Sequence, residues 1–162
     1  LIQSVADQRI PHAQLFLGGE GSGALALALA YGQYLSCEGR QATDSCGSCP
    51  SCVKYEKLAH PDLHFVFPVN TTKSVTKNPT SHQFLTEWRE ALHENPYLNL
   101  YQWLEFIGIE NKQGVINTAE SGVIMRALSL KAFESAFKVM TTPDVHAIQI
   151  AGSVVFPHIS QP

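Results

Sequence analysis

Four cysteines lie close together in the first third of the sequence, at a spacing that suits metal binding. They follow the pattern C-x8-C-x2-C-x2-C and are Cys37, Cys46, Cys49 and Cys52. A C-x2-C pair can place two thiolates on one ion, and four thiolates fill a tetrahedral zinc site without leaving a position for a substrate. We therefore predict a structural Zn²⁺ here, because so short a loop has little apolar material of its own to hold it together.

Two other interpretations of the cysteines stay open at this point. Cys37 could be a packed thiol whose place at the metal is taken by His60, or the segment could bind no metal. A thioredoxin-type redox motif fits less well, because the overlapping copies CGSC and CPSC share Cys49. Three clustered thiols suit metal capture better than a two-electron exchange.

A glycine-rich turn, GGEGSG at residues 18–23, comes before the cysteines and runs into an alanine- and leucine-rich stretch. The P-loop pattern G-x-x-x-x-G-K-[ST] uses glycines to point N–H groups at phosphates, a lysine to reach the outer phosphates and a hydroxyl to bind magnesium. Here Ala24 and Leu25 stand where the lysine and the hydroxyl would be. We therefore expect no ATP hydrolysis.

The same turn could still bind a nucleotide weakly, because a helix N-terminus offers free N–H groups and a dipole. The residues of such a degenerate nucleotide site are Gly18, Gly19, Gly21, Ser22, Gly23 and Ala24. A glycine turn without any ligand is the alternative interpretation, so ATP binding is left open here.

Composition restricts the partners that the chain can have. Its 162 residues fit one domain, and its net charge of −3 with 11 lysines and arginines gives no basic stripe. We therefore expect no direct DNA binding by this chain alone. Charged residues make up 15% of the sequence, against about 25% in typical domains, which favours a surface covered by partner proteins. Neither a long apolar run nor a signal peptide is evident, so we expect a cytoplasmic protein with reduced thiols and no membrane contact.

The order of predicted elements is typical of an α/β protein with a parallel sheet. Predicted strands cover residues 13–18, 63–67, 114–116 and 137–140. Predicted helices cover residues 2–8, 23–36, 53–60, 81–92 with Ser81 as N-cap, 99–107 and 118–128. The helix at 23–36 is apolar on nearly every face, so we expect it to be buried between the sheet and another layer.

Three stretches do not fit the regular alternation of strands and helices. Residues 68–80 have the composition of an exposed linker, and the helical pair that follows resembles an inserted hairpin with Trp88 and Trp103 as its core anchors. The tail at 141–162 has β-branched stretches but no clear helix.

Asp62, which follows Pro61, is expected to act as a turn or cap residue rather than as a general base.

Three features, taken in order, resemble the amino-terminal half of the bacterial clamp-loader subunits, which are AAA+ proteins of the DNA polymerase III holoenzyme. They are HAQLFLGGEGSG at 12–23, the cysteine pattern directly after the loop's helix, and HPDL at 60–63. In that family the gamma/tau motor subunit keeps the loop lysine, whereas delta-prime has a decayed loop and serves as a stator. Ala24 and the HPD at 60–62 make this sequence similar to delta-prime. The resemblance covers Leu1 to about Phe67, resumes loosely at 114–140 and ends after Met140.

The resemblance implies a P-loop (RecA-like, AAA+) parallel sheet flanked by helices, in a domain over residues 1–140. Within it lie a zinc module at 37–52 and a helical insertion at 68–112, and the tail at 141–162 departs from the family. It also implies a non-hydrolysing scaffold that contacts the gamma/tau and delta subunits and, through them, the sliding clamp and primed DNA. Two alternatives are an active gamma/tau-type ATPase in which Lys54 or Lys57 replaces the missing lysine, and a zinc-ribbon nucleic-acid-binding module.

Overall fold

The computed structural model describes residues 1–142 except His12, Glu20 and Glu110, together with the backbone of residues 154–157. The elements in chain order are α1 (Ile2–Ala6), α2 (Ala24–Ser36), α3 (Pro50–Glu56), β1 (Leu63–Phe65), a 3-10 helix (Ser81–Phe84), α4 (Leu85–Glu94), α5 (Leu100–Phe106), α6 (Thr118–Ser129), β2 (Phe137–Thr141) and β3 (Val154–Pro157). None of the helices in this part of the chain has the length and apolar character that crossing a bilayer requires.

The three described strands form one sheet in the order β1, β2, β3. Strand β1 runs parallel to β2, with Leu63 opposite Val139, and β2 runs antiparallel to β3, with Lys138 opposite Phe156. The predicted strands at 63–67 and 137–140 are therefore confirmed, and their parallel pairing, which the sequence did not predict, is consistent with the predicted parallel sheet. The complete P-loop sheet implied by the resemblance is not seen among the described residues.

The observed helices agree best with the predicted bounds where a side chain caps the helix. Asn99 and Gln102 form a reciprocal capping box at the start of α5, and Asn117 accepts two backbone hydrogen bonds at the start of α6. Such caps satisfy N–H groups that the first helical turn leaves free. Helix α3 starts three residues earlier than predicted, at Pro50, because proline fits the first helical position.

The two tryptophans lie in the same core as strand β1. Phe67 stacks on Trp88 with ring centroids 4.2 Å apart, and Trp103 meets Trp88 edge-on at 4.8 Å. Trp103 Nε1 donates to the Pro68 carbonyl at 2.9 Å. Both indoles are 1% exposed, so their predicted role as core residues is confirmed, and the core that they enter also contains Phe65 and Val139.

The predicted strand at 13–18 is wrong. Leu15 and Leu17 are 51% and 75% exposed, whereas Phe16 packs against Tyr31 with ring centroids 6.5 Å apart. An extended segment becomes a strand only when a neighbour takes up its N–H and C=O groups. No described strand pairs with this segment.

The expectation that the helix at 23–36 is buried on all sides is also wrong for its first half. Tyr31 and Leu35 are buried, but Leu27 is 49% exposed. Leu25, in the first turn of α2, is half-buried against the core, and the fully buried residues of this helix begin at Ala28.

Residues 68–80 are not a wholly exposed linker. Val69 is 1% exposed and forms an isolated antiparallel bridge with Val115, which is the only part of the predicted strand at 114–116 that forms. Ser81 is not an N-cap, since Thr80 takes that position. Ser81 is instead fully buried, and its Oγ donates to the Phe67 carbonyl at 3.1 Å.

Asp62 ties the start of β1 to the segment that leads into β2. Its carboxylate accepts the backbone N–H groups of Phe133 at 2.6 Å, Glu134 at 2.8 Å and Ser135 at 2.9 Å. Burial raises the pKa of Asp62, but the three N–H donors outweigh burial and leave the pKa below its ordinary value. The predicted turn or cap role of Asp62 is confirmed, because both carboxylate oxygens are occupied by backbone donors.

Replacing Asp62 with asparagine is expected to lower the free energy of unfolding at neutral pH by about 1–3 kcal/mol, because three partly buried backbone N–H groups lose their charged acceptor. The folded-state pKa lies below the ordinary 3.8, so the carboxylate's contribution is complete above that value. It is lost as the pH falls through the folded-state pKa. Urea unfolding at neutral and acidic pH should therefore show the difference between wild type and Asp62→Asn shrinking on acidification.

Asp7→Asn is the matched control, because Asp7 is exposed on α1's C-terminal side. Its effect should stay within about 0.5 kcal/mol. A stability difference for Asp62→Asn that does not change with pH would contradict a charged Asp62 in the folded state.

Candidate metal centre and glycine loop

The four cysteines converge on one point. Their Sγ atoms all lie within 4.8 Å of one another, with Cys37 and Cys46 3.5 Å apart and Cys46 and Cys52 4.0 Å apart. Four sulfurs bound tetrahedrally at about 2.3 Å from one ion would be about 3.8 Å apart. The cysteines are free thiols rather than disulfides, and their arrangement can hold a metal ion.

Two helices and a glycine position these thiols. Cys37 follows the last residue of α2, and Cys49 is the N-cap of α3 with Cys52 in its first turn. Gly47 between them has a φ of 71°, a left-handed conformation that glycine adopts without strain. Cys37 and Cys52 are buried at 3% and 1% exposure, so the cluster closes against the protein and leaves little room for a substrate.

Backbone N–H groups point at the sulfurs. Cys46 N–H donates to Cys37 Sγ at 3.3 Å, and Cys49 N–H donates to Cys46 Sγ at 3.4 Å. The backbone N–H groups of Ser48 and Cys49 lower the pKa of Cys46 to about 6. Burial raises the pKa of Cys52 to about 12. Because metal ligation requires thiolates, a bound cation would supply the charge that Cys52 needs to ionise.

His60 does not join the cysteines, so the alternative ligand set with His60 in place of Cys37 is wrong. Its Nδ1 accepts the Asp62 N–H at 3.1 Å, and its Nε2 lies 2.9 Å from Ser51 Oγ. An accepting Nδ1 leaves the proton on Nε2, which therefore donates to the serine. Burial lowers the pKa of His60 and keeps it neutral.

The trio of Ser51, His60 and Asp62 is therefore not a nucleophilic triad. In such a triad the histidine nitrogen beside the serine accepts its proton, and the carboxylate binds the other ring nitrogen. Here the ring donates to Ser51, and the Asp62 carboxylate is occupied by residues 133–135. The trio connects α3 and the cysteine loop to the start of β1.

The glycine loop is held by its own backbone. Ser22 N–H donates to the Gly19 carbonyl at 3.1 Å, and Gly23 serves as N-cap of α2 with a φ of 78°. A Cβ at Gly18 would lie 2.1 Å from Ser22 Oγ, so this position needs glycine for space. The loop residues predicted from sequence thus form a compact turn that leads directly into Ala24.

Tyr97 lies against the glycine loop. A Cβ on Gly23 would be 3.0 Å from Tyr97 Cε1, and both residues line a cavity of about 450 Å³. No charged side chain of the described residues lines this cavity. Lys54 instead bonds to Glu134 Oε1 at 2.6 Å, and Lys57 is also absent from the cavity lining, so neither lysine takes the place of the missing P-loop lysine.

Sequence reasoning missed three contributors to these sites. Ser51 lies between two cysteines in CPSC, and only the fold brings it to His60. Tyr97 follows Asn95 and Pro96, which signals a turn, but nothing local connects that turn with a loop more than 70 residues earlier. Trp88 was recognised as a core residue, but not as part of the cavity wall.

Replacing Cys49 with serine is expected to lower the affinity for the metal by at least about 100-fold, because it removes one of the four ligands. Loss of a residue that only hydrogen-bonds to a metal ligand already lowers metal affinity by about 10- to 100-fold. The metal content of purified protein, measured by inductively coupled plasma mass spectrometry, should fall from one ion per chain to a substoichiometric amount. Ser48→Ala, an exposed change in the same loop, should keep the full metal content. Equal metal content in both variants would contradict a cysteine-ligated ion.

Replacing Gly23 with alanine is expected to destabilise the chain by about 1–2 kcal/mol, since φ of 78° disfavours a Cβ and Tyr97 blocks the space. Gly19→Ala is the matched control, because nothing lies within 4 Å of a Cβ there. Urea unfolding should find Gly19→Ala close to wild type. Adding Tyr97→Ala should relieve only part of the Gly23→Ala loss, and equal stability of the two alanine variants would contradict this geometry.

Comparison with known proteins finds a relative that aligns with part of this chain. The chain is 41% identical over 69 residues to DNA polymerase III subunit delta' of Bacillus subtilis (strain 168). The aligned part is 42% of this chain and 20% of the relative, so the chain spans about a fifth of that protein. No solved structure matches the chain.

A family model described as "DNA polymerase III, delta subunit" matches residues 1–152. The match runs through residues 68–112 and extends past Met140. Together with the delta' relative, it confirms the resemblance that the glycine loop, the cysteine pattern and HPDL carry. The chain therefore belongs to the DNA polymerase III delta subunit family and is of the delta-prime type.

Proposed function

We propose that this chain is part of a non-hydrolysing scaffold subunit of the bacterial clamp loader, which helps to place the sliding clamp on primed DNA. In this role it contacts the gamma/tau and delta subunits in the cytoplasm, and it reaches the clamp and the DNA through them. Family membership supports the assignment to the polymerase assembly. The absence of the P-loop lysine, with Ala24 in its place, supports a scaffold rather than a motor.

The observation that carries the proposal is the absence of a lysine or arginine beside the glycine loop among the described residues. Phosphoryl transfer needs a cation to offset the developing charge and a ligand to hold magnesium. Ala24 and Leu25 supply neither, and none of the described residues that line the cavity in front of them is a lysine or an arginine. Tyr97 also lies beside Gly23, with its Cε1 3.0 Å from the place that a Gly23 Cβ would take.

The pairing of Lys54 with Glu134 disfavours the ATPase alternative. A lysine replacing the P-loop residue would have to leave this ion pair, in which both side chains are about one third exposed. Such an exposed pair contributes little stability, so energy alone would not hold Lys54 there. The stronger evidence against the ATPase alternative is that Lys54 does not line the cavity beside the glycine loop.

We propose zinc as the metal of the cysteine cluster. A closed set of four thiolates is typical of structural zinc or of iron–sulfur centres, and zinc fits a single ion between sulfurs that all lie within 4.8 Å of one another. The ion would fix the loop between α2 and α3 and thereby stabilise the surface that this loop presents. It would have no open position for catalysis.

Exposed apolar side chains support a role in protein contact. Leu17 is 75% exposed, Met125 68% and Phe133 81%, while only 15% of the residues are charged. Exposed apolar side chains on a protein with few charges are available for contact with partner proteins. Residues 68–112, proposed as an insertion in the domain over 1–140, contribute Tyr97 to the glycine loop and the two tryptophans to the core.

The purified chain is expected to release no phosphate from magnesium ATP above the buffer background. Ala24→Lys should not create activity, because Leu25 still lacks the hydroxyl that holds magnesium. A coupled phosphate-release assay measures both. The scaffold role predicts in addition that the protein co-elutes with the gamma/tau and delta subunits on size-exclusion chromatography.

Gly23→Val is the matched control for the assay, because it fills the glycine loop. Turnover by the wild-type chain that disappears in Gly23→Val would overturn the proposal in favour of a gamma/tau-type ATPase. Absence of both turnover and co-elution would overturn the scaffold role itself.

A further inference from the structure

The protein covers the four cysteines to different extents. Cys37 and Cys52 are 3% and 1% exposed, whereas Cys46 and Cys49 are only half-buried. Residue 39 lies beside Cys46, and a Cβ at that position would be 3.8 Å from Cys46 Sγ. Because Gly39 carries no side chain, it leaves this side of Cys46 uncovered. A small molecule from solvent therefore meets the outer cysteines, Cys46 and Cys49, before the inner ones.

Each outer cysteine has an inner cysteine close by. Cys46 Sγ lies 3.5 Å from Cys37 Sγ, and Cys49 and Cys52 share the first turn of α3. A disulfide needs an S–S distance of about 2.05 Å, so side-chain rotation can join the first pair and leaves the second pair to join within its turn. The sequence has no other cysteine that would compete.

We propose that the cysteine loop is a peroxide-sensitive switch, in which hydrogen peroxide oxidises Cys46 first, Cys46 pairs with Cys37, and the metal ion is released. The inference rests on the zinc ion proposed above and goes beyond a purely structural role for it. It gives the loop between α2 and α3 two states, one closed by zinc and one closed by disulfides.

The oxidation balances in two steps. The Cys46 thiolate attacks one oxygen of hydrogen peroxide, the O–O bond breaks, and a sulfenic acid and a hydroxide ion form. The Cys37 thiolate then attacks the Cys46 sulfur, the S–S bond forms, and the S–O bond breaks to release a second hydroxide ion. The two sulfurs together lose two electrons to the peroxide, and both hydroxide ions take up protons from solvent.

The disulfide removes half of the ligand set. Two thiolates remain where a structural zinc site uses four ligands, so the ion leaves, and a second peroxide joins the two remaining cysteines in the same way. Ser51 still contacts His60 at 2.9 Å and so connects α3 to the start of β1. The change is therefore centred on residues 38–48, the part of the loop that zinc would otherwise hold in place.

Peroxide titration of the zinc-loaded chain tests the switch, with a chromogenic zinc chelator measuring the released ion. One zinc per chain should be released, and dithiothreitol with added zinc should restore it, because disulfides are reversible whereas sulfinic acids are not. Peptide mapping without a reducing agent should find the bond between Cys37 and Cys46 first. Zinc that stays bound under peroxide, or a first disulfide between another pair, would overturn the proposal.

Gly39→Val tests Cys46 as the point of attack without removing a ligand. Its side chain should cover Cys46 Sγ and slow zinc release by at least about 2-fold. A Cβ contact of 3.8 Å is an ordinary one, so the variant should still bind one zinc. Equal release rates for Gly39→Val and wild type would overturn Cys46 as the first sulfur to react.

Met125→Leu is the matched control, because Met125 is 68% exposed and peroxide also oxidises accessible methionine sulfur. Its zinc release should match that of the wild type. Release that disappears in Met125→Leu would assign the effect to methionine oxidation and overturn the switch.

Two outcomes separate this proposal from the zinc assignment on which it rests. A purified chain that binds no zinc before peroxide is added would overturn both. A chain that binds one zinc and keeps it under peroxide would overturn the switch and leave the structural zinc and the scaffold role intact.

Discussion

The carboxylate of Asp62 is the contact on which the described architecture depends. It binds the backbone of three residues that begin 71 positions later in the chain, and so aligns the entrances of two parallel strands that no short turn could connect. On its other side, the Asp62 N–H fixes His60, and His60 holds Ser51. One buried charge thus orients the sheet, helix α3 and the first turn that carries Cys52.

The glycine loop illustrates a different constraint, in which backbone geometry is kept although the charges of phosphate chemistry are missing. Gly18 must be glycine because its backbone lies close to Ser22, and Gly23 must be glycine because its φ is positive. Neither requirement involves a ligand. A loop that must still turn sharply into α2 keeps its glycines even when Ala24 follows. This separation of shape from chemistry is the basis of the proposed scaffold role.

Local signals predicted local structure well, and long-range contacts could not be predicted. The cysteine spacing predicted the cluster, because two ligands in each C-x2-C are brought together by one turn. Asn99 and Asn117 marked helix starts through their own side chains. The segment with Leu15 and Leu17 looked like a strand, but strand formation depends on a partner that its own sequence does not encode. The contact of Tyr97 with Gly23 joins segments that no pattern relates.

We propose that the chain combines a metal-stabilised cysteine loop with a glycine loop that does not serve nucleotide chemistry. A native mass spectrum of the purified chain with zinc and magnesium ATP present tests both halves at once. The account predicts one zinc ion per chain and no nucleotide adduct. A stable nucleotide adduct, or a folded chain without zinc, would contradict it.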